Sequence, residues 1–236
     1  TGTGSIIRRR LLDLMHRNTT RRIQTVCAPA GYGKTTLLSK FVTELDTPIC
    51  WYQLDASDQD PRQLIEGILA AVNAKFPSFG SLTRSRLSGS LDNRPDAAQV
   101  IGALTGEMHT FISDYFILVI EDYHEVESGK AARTVLNTLL ERLPENCHLL
   151  LSSRTPIDLP ALDRIYIQGQ AARISTEELA FTTAEVKELS TQSGLAISEE
   201  EAGTIVIKCG GWIVGILLFV YMLQPEKTTR ETLAVS

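Results

Sequence analysis

The residues Ala28-Pro29-Ala30-Gly31-Tyr32-Gly33-Lys34-Thr35-Thr36 are of the types, and at the spacing, that hold a phosphate. They follow a β-like run at 23–27 and open a helix-like run at 37–45. Strand, glycine-containing loop, Lys-Thr and helix in that order make a P-loop. Small residues let the loop wrap closely, so that backbone N–H groups converge on phosphate oxygens. Gly31 and Gly33 open conformations closed to bulkier side chains, and the positive end of the following helix favours an anion. In this reading Ala30, Gly31, Tyr32, Gly33, Lys34, Thr35 and Thr36 cradle a nucleotide. Lys34 reaches its β- and γ-phosphates and Thr35 offers its hydroxyl to Mg²⁺. The strict pattern starts with Gly where this chain has Ala28; Ala is small, so the motif is relaxed rather than broken.

A P-loop names a nucleotide and not a function. The partner to look for is a strand that ends in carboxylates able to hold Mg²⁺ and polarise water. Phe116-Ile117-Leu118-Val119-Ile120-Glu121-Asp122 supplies it. Most such strands end first in Asp; Glu121 carries one methylene more and reaches farther, acting on Mg²⁺ through water. Asp122 is suited to orient the attacking water or serve as general base, and the division of roles between the two stays open. Arg154 follows the next apolar run, Leu149-Leu150-Leu151-Ser152-Ser153. A guanidinium there distinguishes a triphosphate from a diphosphate by charge and bidentate geometry. His124, two residues past the acidic pair, reads as a structural cap of the strand end or a relay of nucleotide state.

Elements that position these groups follow from periodicity. Helical spacing is expected at 6–15, at 60–72 from an Asp60-Pro61 start, at 96–112 and at 131–143. Strands are expected at 23–27, 49–54, 116–120 and 148–151, with a weaker β-like segment between 164 and 174. The alternation implies an α/β fold, a parallel five-stranded sheet flanked by helices. Residues 77–93, rich in Ser, Gly and Arg, read as an exposed loop. Beyond 182 the β signal stops and helical runs at 183–192, 199–208 and 212–223 read as a small all-α subdomain. The expected division is 1–180 for the P-loop part and 181–236 for the helical part. The run at 212–223 is apolar almost all round yet too short to span a bilayer; it reads as a core helix, or one covered by a further domain.

Composition sets outer bounds. The 236 residues are 43% hydrophobic and 22% charged, with a net charge of −5, which suits a soluble globular chain and argues against a DNA-binding surface within it. No signal or targeting sequence is legible, and residues 1–5 read as an expression remnant or a loose terminus. Cys27, Cys50, Cys147 and Cys209 lack metal-ligand spacing and read as buried reduced thiols of a cytoplasmic protein. The histidines form no zinc-binding pair.

Taken in order, Ala28 to Leu37, Trp51-Tyr52-Gln53-Leu54-Asp55 with Asp58 and Asp60-Pro61, Ile120-Glu121-Asp122-Tyr123-His124, Ser153-Arg154, Leu179-Ala180-Phe181-Thr182 and Gly211-Trp212 resemble the nucleotide-binding module of MalT-like, large LuxR-type transcription regulators. These are STAND-class signal-transduction ATPases related to NB-ARC and NACHT switches. The Ala28 departure is typical of them. The resemblance implies a switch: a closed monomeric ADP form, an ATP form that self-associates under an inducer, and slow hydrolysis that resets it. It implies ATP/ADP and Mg²⁺ as ligands, and DNA contact only through a C-terminal helix-turn-helix absent from this chain. The inducer would be read by a repeat-built sensor, also absent. It implies Arg10, with Arg8, near the nucleotide, and Trp212 and Ile213 beside the adenine. Ile213 stands where related switches often have Pro. Two other readings are a turnover ATPase of motor or loader type and a degenerate, non-hydrolysing scaffold, the latter suggested by Glu121 and Ile213.

Overall fold

The computed structural model describes residues 6–89 and 96–223; the expected loose terminus at 1–5, part of the expected loop at 77–93, and the end of the helical part lie outside the described residues. The elements, in chain order, are α1 (Arg9–Arg17), β1 (Ile23–Cys27), α2 (Lys34–Thr43), β2 (Ile49–Gln53), α3 (Pro61–Lys75), α4 (Ser81–Ser88), α5 (Ala97–Phe111), β3 (Phe116–Glu121), α6 (Lys130–Arg142), β4 (Cys147–Ser153), α7 (Pro160–Ile167), β5 (Ala171–Ile174), α8 (Thr176–Leu179), α9 (Thr183–Gln192), α10 (Glu199–Cys209) and α11 (Ile213–Met222). The five strands form one parallel sheet in the order β2-β3-β4-β1-β5, as the alternation of strand and helix implies. Every residue of β3 and β4 is buried, which explains why both read as continuous apolar runs.

Alternate strand residues serve opposite faces. Leu118, Ile120, Leu149 and Leu151 join one core with α3, α5, α6 and α7. Ile117, Val119 and Leu150 join the other with α1 and α2. The strand order puts β4 between the P-loop strand β1 and the acid-bearing strand β3. Their carboxyl ends therefore converge at one edge, where ligands of open α/β sheets bind. A third, smaller cluster joins α9, α10 and α11 with Ile6 and Phe181.

The structure refines three sequence expectations. Within 77–93, α4 is a helix with Thr83 and Leu87 buried. Its N-terminal N–H groups are satisfied from α5: the Glu107 carboxylate accepts from Leu82 N at 3.0 Å and Thr83 N at 2.9 Å. The β-like segment expected between 164 and 174 is present as β5 at its end, whereas its start, 164–167, belongs to the helix α7. Pro160 opens that helix, Leu162 and Ile165 face the core, and Ile167 is 87% exposed. The apolar run at 212–223 is a core helix on one face only: Ile216 and Val220 are buried, whereas Leu217, Leu218, Tyr221 and Met222 are exposed. Of the four free cysteines, Cys50 and Cys147 are buried and Cys27 and Cys209 half-buried. Among the described residues no helix is long and apolar enough to cross a membrane.

Candidate nucleotide-binding site

The loop between β1 and α2 has the backbone its glycines were expected to supply. Gly31 and Gly33 have φ of 80° and 82°, in the left-handed region open to glycine. Lys34 is already the first residue of α2, so its own N–H and the next two have no carbonyl one turn back. The lysine is nearly buried and folds over its loop, its Nζ donating to Ala28 O at 2.6 Å and Pro29 O at 3.2 Å. Burial pulls its ammonium below the ordinary lysine range; Asp122 opposes that and Arg154 adds to it.

The acidic pair lies against the same helix start. Thr35 Oγ1 donates to Glu121 Oε1 at 2.8 Å, and Trp51 Nε1 donates to Glu121 Oε2 at 3.1 Å. Burial pushes the Glu121 carboxyl above the ordinary carboxylate range, and the Asp122 charge adds to this against the two hydrogen bonds. Asp122 sits in the left-handed region with φ of 61°, which Asp tolerates better than most residues. Its Oδ2 accepts from Gln53 Nε2 at 3.1 Å, and its N–H donates to Ser152 Oγ at 3.3 Å.

These residues fit a divalent cation. The Thr35 proton is committed to Glu121, leaving the hydroxyl lone pairs free for a metal, and the buried, charge-crowded Glu121 would be relieved by one. Among the described residues no group of three His, Cys, Asp or Glu side chains is placed to hold a metal ion. A cation here would thus draw on phosphate and water oxygens, the habit of Mg²⁺.

Arg154 emerges from the end of β4. It lines a cavity of about 380 Å³ with Ala28, Pro29, Tyr166 and Arg173. His124 lies 3.7 Å from Asp122 Oδ1 and 3.2 Å from Glu125 Oε1, yet neither of its buried ring nitrogens makes a directed hydrogen bond.

On the other side of the loop is a cavity of about 340 Å³. Gly31, Tyr32, Gly33 and Thr36 form one wall, and Leu12, Phe181, Ile213 and Leu217 are among its apolar residues. Arg8 closes one end. Its guanidinium bonds Glu185 Oε2 and Oε1 at 2.9 and 3.1 Å, Leu179 O at 2.8 Å and Ala180 O at 2.9 Å, and lies 4.1 Å from the Phe181 ring centre. Burial alone would raise the Glu185 carboxyl, but Arg8 and the Thr182 N–H hold it below the ordinary carboxylate range.

The structure therefore brings the loop residues, Glu121 and Asp122 together and sets Ile213 in the cavity wall. Arg10 is absent from the cavity lining, where Arg8 stands; its guanidinium bonds Glu178 O at 2.9 Å and lies beside that of Arg8, 3.6 Å from Glu185 Oε1. Trp212 also lies outside that lining. Its indole N–H donates to Ala30 O at 2.9 Å and the ring covers Gly31, where an added Cβ would come within 2.5 Å of the indole nitrogen. Trp51 and Gln53 carried no assigned role in the sequence reading. Their signal was an alternate-residue pair on the strand before the acidic one, and it needed the sheet order to become legible.

A protein-family model described as an AAA domain matches residues 16–157. The HTH-type transcriptional regulator MalT of Serratia proteamaculans is 27% identical over 233 residues, covering 96% of this chain and 25% of that protein. MalT of Yersinia enterocolitica is 25% identical over 235 residues, covering 97% and 25%. The chain thus spans about a quarter of the length of the curated relatives it matches. Among solved structures, a STAND protein with a tetratricopeptide repeat sensor from Pyrococcus horikoshii superposes with a TM-score of 0.64 at 15% identity, covering 92% of this chain and 30% of that one. A Walker-type ATPase of Pyrococcus abyssi gives 0.53 at 13%, covering 98% and 72%. At these identities the structures show likeness of fold alone.

Proposed function

We propose, from the fact that this chain belongs to the AAA domain family as a MalT-like, nucleotide-binding P-loop module, that it is an ATP/ADP switch of a signal-responsive transcription activator. The single observation that carries this reading is the cavity whose one wall is the P-loop and whose opposite wall comes from Phe181, Leu189, Ile213 and Leu217. A base lodged there touches the helical part while its phosphates run through the loop, so occupancy and the seating of α9–α11 become one event. We place the division between the two parts near residue 180.

In this reading the loop N–H groups and Lys34 bind the phosphates, and Ile213 packs against the adenine, with Trp212 seated on the loop beside it. Thr35 and Glu121 would hold Mg²⁺, which when bound neutralises phosphate charge. Asp122 orients water, and Arg154 meets the γ-phosphate. Water oxygen bonds to the γ-phosphorus as the bond to the β–γ bridging oxygen breaks; ADP and orthophosphate result, the water proton leaving by way of Asp122. Hydrolysis is slow and resets the switch. Self-association in the ATP state, DNA contact and inducer sensing belong to the longer protein.

The test is the nucleotide retained on the purified chain together with its steady-state ATPase rate. Tightly held ADP or ATP with slow turnover is expected. Turnover well above ~1 s⁻¹, in the ordinary enzyme range, would favour a motor or loader instead, and absence of binding at millimolar ATP with Mg²⁺ would leave only a scaffold. Lys34→Ala should weaken ATP binding by about 100-fold, the scale of losing a charge-assisted phosphate contact; unchanged affinity removes the P-loop assignment. Arg154→Ala should lower ATP affinity about tenfold with ADP affinity kept, and equal losses for both nucleotides count against a γ-phosphate contact.

A further inference from the structure

We propose that the edge strand β2 divides the acidic pair into two jobs, with Trp51 and Gln53 as the positioning residues that make the division. The inference rests on the reading above, in which Glu121 acts on Mg²⁺ and Asp122 on water, and it names what holds each carboxylate to its job. Trp51 and Gln53 stand two apart on one strand, so they leave it on the same side. Each donates one side-chain N–H to one carboxylate: Trp51 Nε1 to Glu121 Oε2 at 3.1 Å, Gln53 Nε2 to Asp122 Oδ2 at 3.1 Å. The intervening Tyr52 turns away and gives its hydroxyl to Asp58.

The two grips differ in kind. The Trp51 ring packs on the core that also holds Leu37, Leu38 and Val119, so its N–H points where the packing sends it. Glu121 is 2% exposed and stretches between that indole and the Thr35 hydroxyl on α2. The extra methylene of Glu over Asp is what spans β2 and α2 at once. The carboxylate is thereby held against the hydroxyl that would meet the metal. Asp122 receives no bond from Thr35. It is turned out of the strand by its left-handed backbone, steadied by the exposed Gln53 amide, and faces His124. It is held by a single exposed amide and not by Thr35, as suits a group that meets water. Trp51 therefore positions the carboxylate assigned to the metal, and Gln53 the one assigned to water.

The two positioning residues should separate two measurements on the whole chain. In Trp51→Phe the Mg²⁺ concentration that half-saturates nucleotide retention should rise about tenfold, the scale of one hydrogen bond to a charged group. Metal-free ADP affinity should stay within about twofold. In Gln53→Leu the hydrolysis rate should fall about tenfold with Mg²⁺ half-saturation and ATP affinity unmoved. Trp51→His, which keeps a ring N–H, should recover part of the metal dependence. Should Trp51→Phe not fold, Glu121→Asp serves, because the shorter arm loses the indole. It should raise Mg²⁺ half-saturation alike, and replacing Trp51 as well should add nothing. Both variants moving both quantities together, or Trp51→Phe leaving the Mg²⁺ dependence unchanged, overturns the division. A parent chain that binds nucleotide and never hydrolyses it overturns the Asp122 half. A parent that binds none fails at the nucleotide reading itself, before the variants are compared.

Discussion

The sheet and the three helices α9–α11 are built to different tolerances. The sheet is covered on both faces, and two of its strands have no exposed residue. The helical region has a cluster of eight buried residues, and two of those, Ile6 and Phe181, precede its first helix. It is tied to the rest by few polar contacts, among them Arg8 and Arg10 to Glu185, Trp212 to Ala30, and Phe181 N to Gly211 O at 3.0 Å. Residues in each of these contacts line the cavity beside the P-loop or neighbour its lining in sequence. One region is fixed by packing on both of its faces. The other is held by a few contacts beside the P-loop cavity, the low contact density that goes with low local stability.

That contrast can be broken at its strong end first. Leu118→Ala empties a fully buried site in β3 and should cost about 3 kcal/mol, lowering hydrogen-exchange protection in the sheet and the helices together. A loss confined to the helices would mean the sheet is not the framework. Arg8→Ala comes next. It strips a partner from the half-buried Glu185 and should cost roughly 2 kcal/mol. That loss should appear as faster exchange and proteolysis of α9–α11 with the sheet unchanged. The smallest effect is expected from acid. The folded-state pKa of Glu185 is depressed, so its contribution is whole above the unfolded value near 4.5 and fades as pH falls through the lower folded value. Exchange of α9–α11 should therefore accelerate on acidification below about pH 4.5, and Arg8→Ala should flatten that dependence. Equal acid sensitivity in the two chains would remove the clasp from the account.

Local patterns were readable where local chemistry decides the outcome. The β1 boundaries, the Asp60-Pro61 helix start and the P-loop follow from residues adjacent in sequence, and the structure has them where expected. The misses have distant causes. The helix α4 is capped by Glu107, more than twenty residues away, which no local rule anticipates. Arg8 is expected near the nucleotide, but its partner Glu185, 177 residues away, is not. Trp51 acquires its role only because the sheet order sets β2 beside β3. Ile167 looked β-like, yet the helix that begins at Pro160 carries it to the surface.

The two indoles of the chain have a consequence for how the proposed switch would be watched. One N–H is spent on the carboxylate beside Thr35, the other on a P-loop carbonyl under the helical region. No third tryptophan dilutes them. The indole emission of this chain would therefore be a two-channel record, with Trp51 reporting the surroundings of Glu121 and Trp212 those of the P-loop carbonyl it covers, each read by silencing the other.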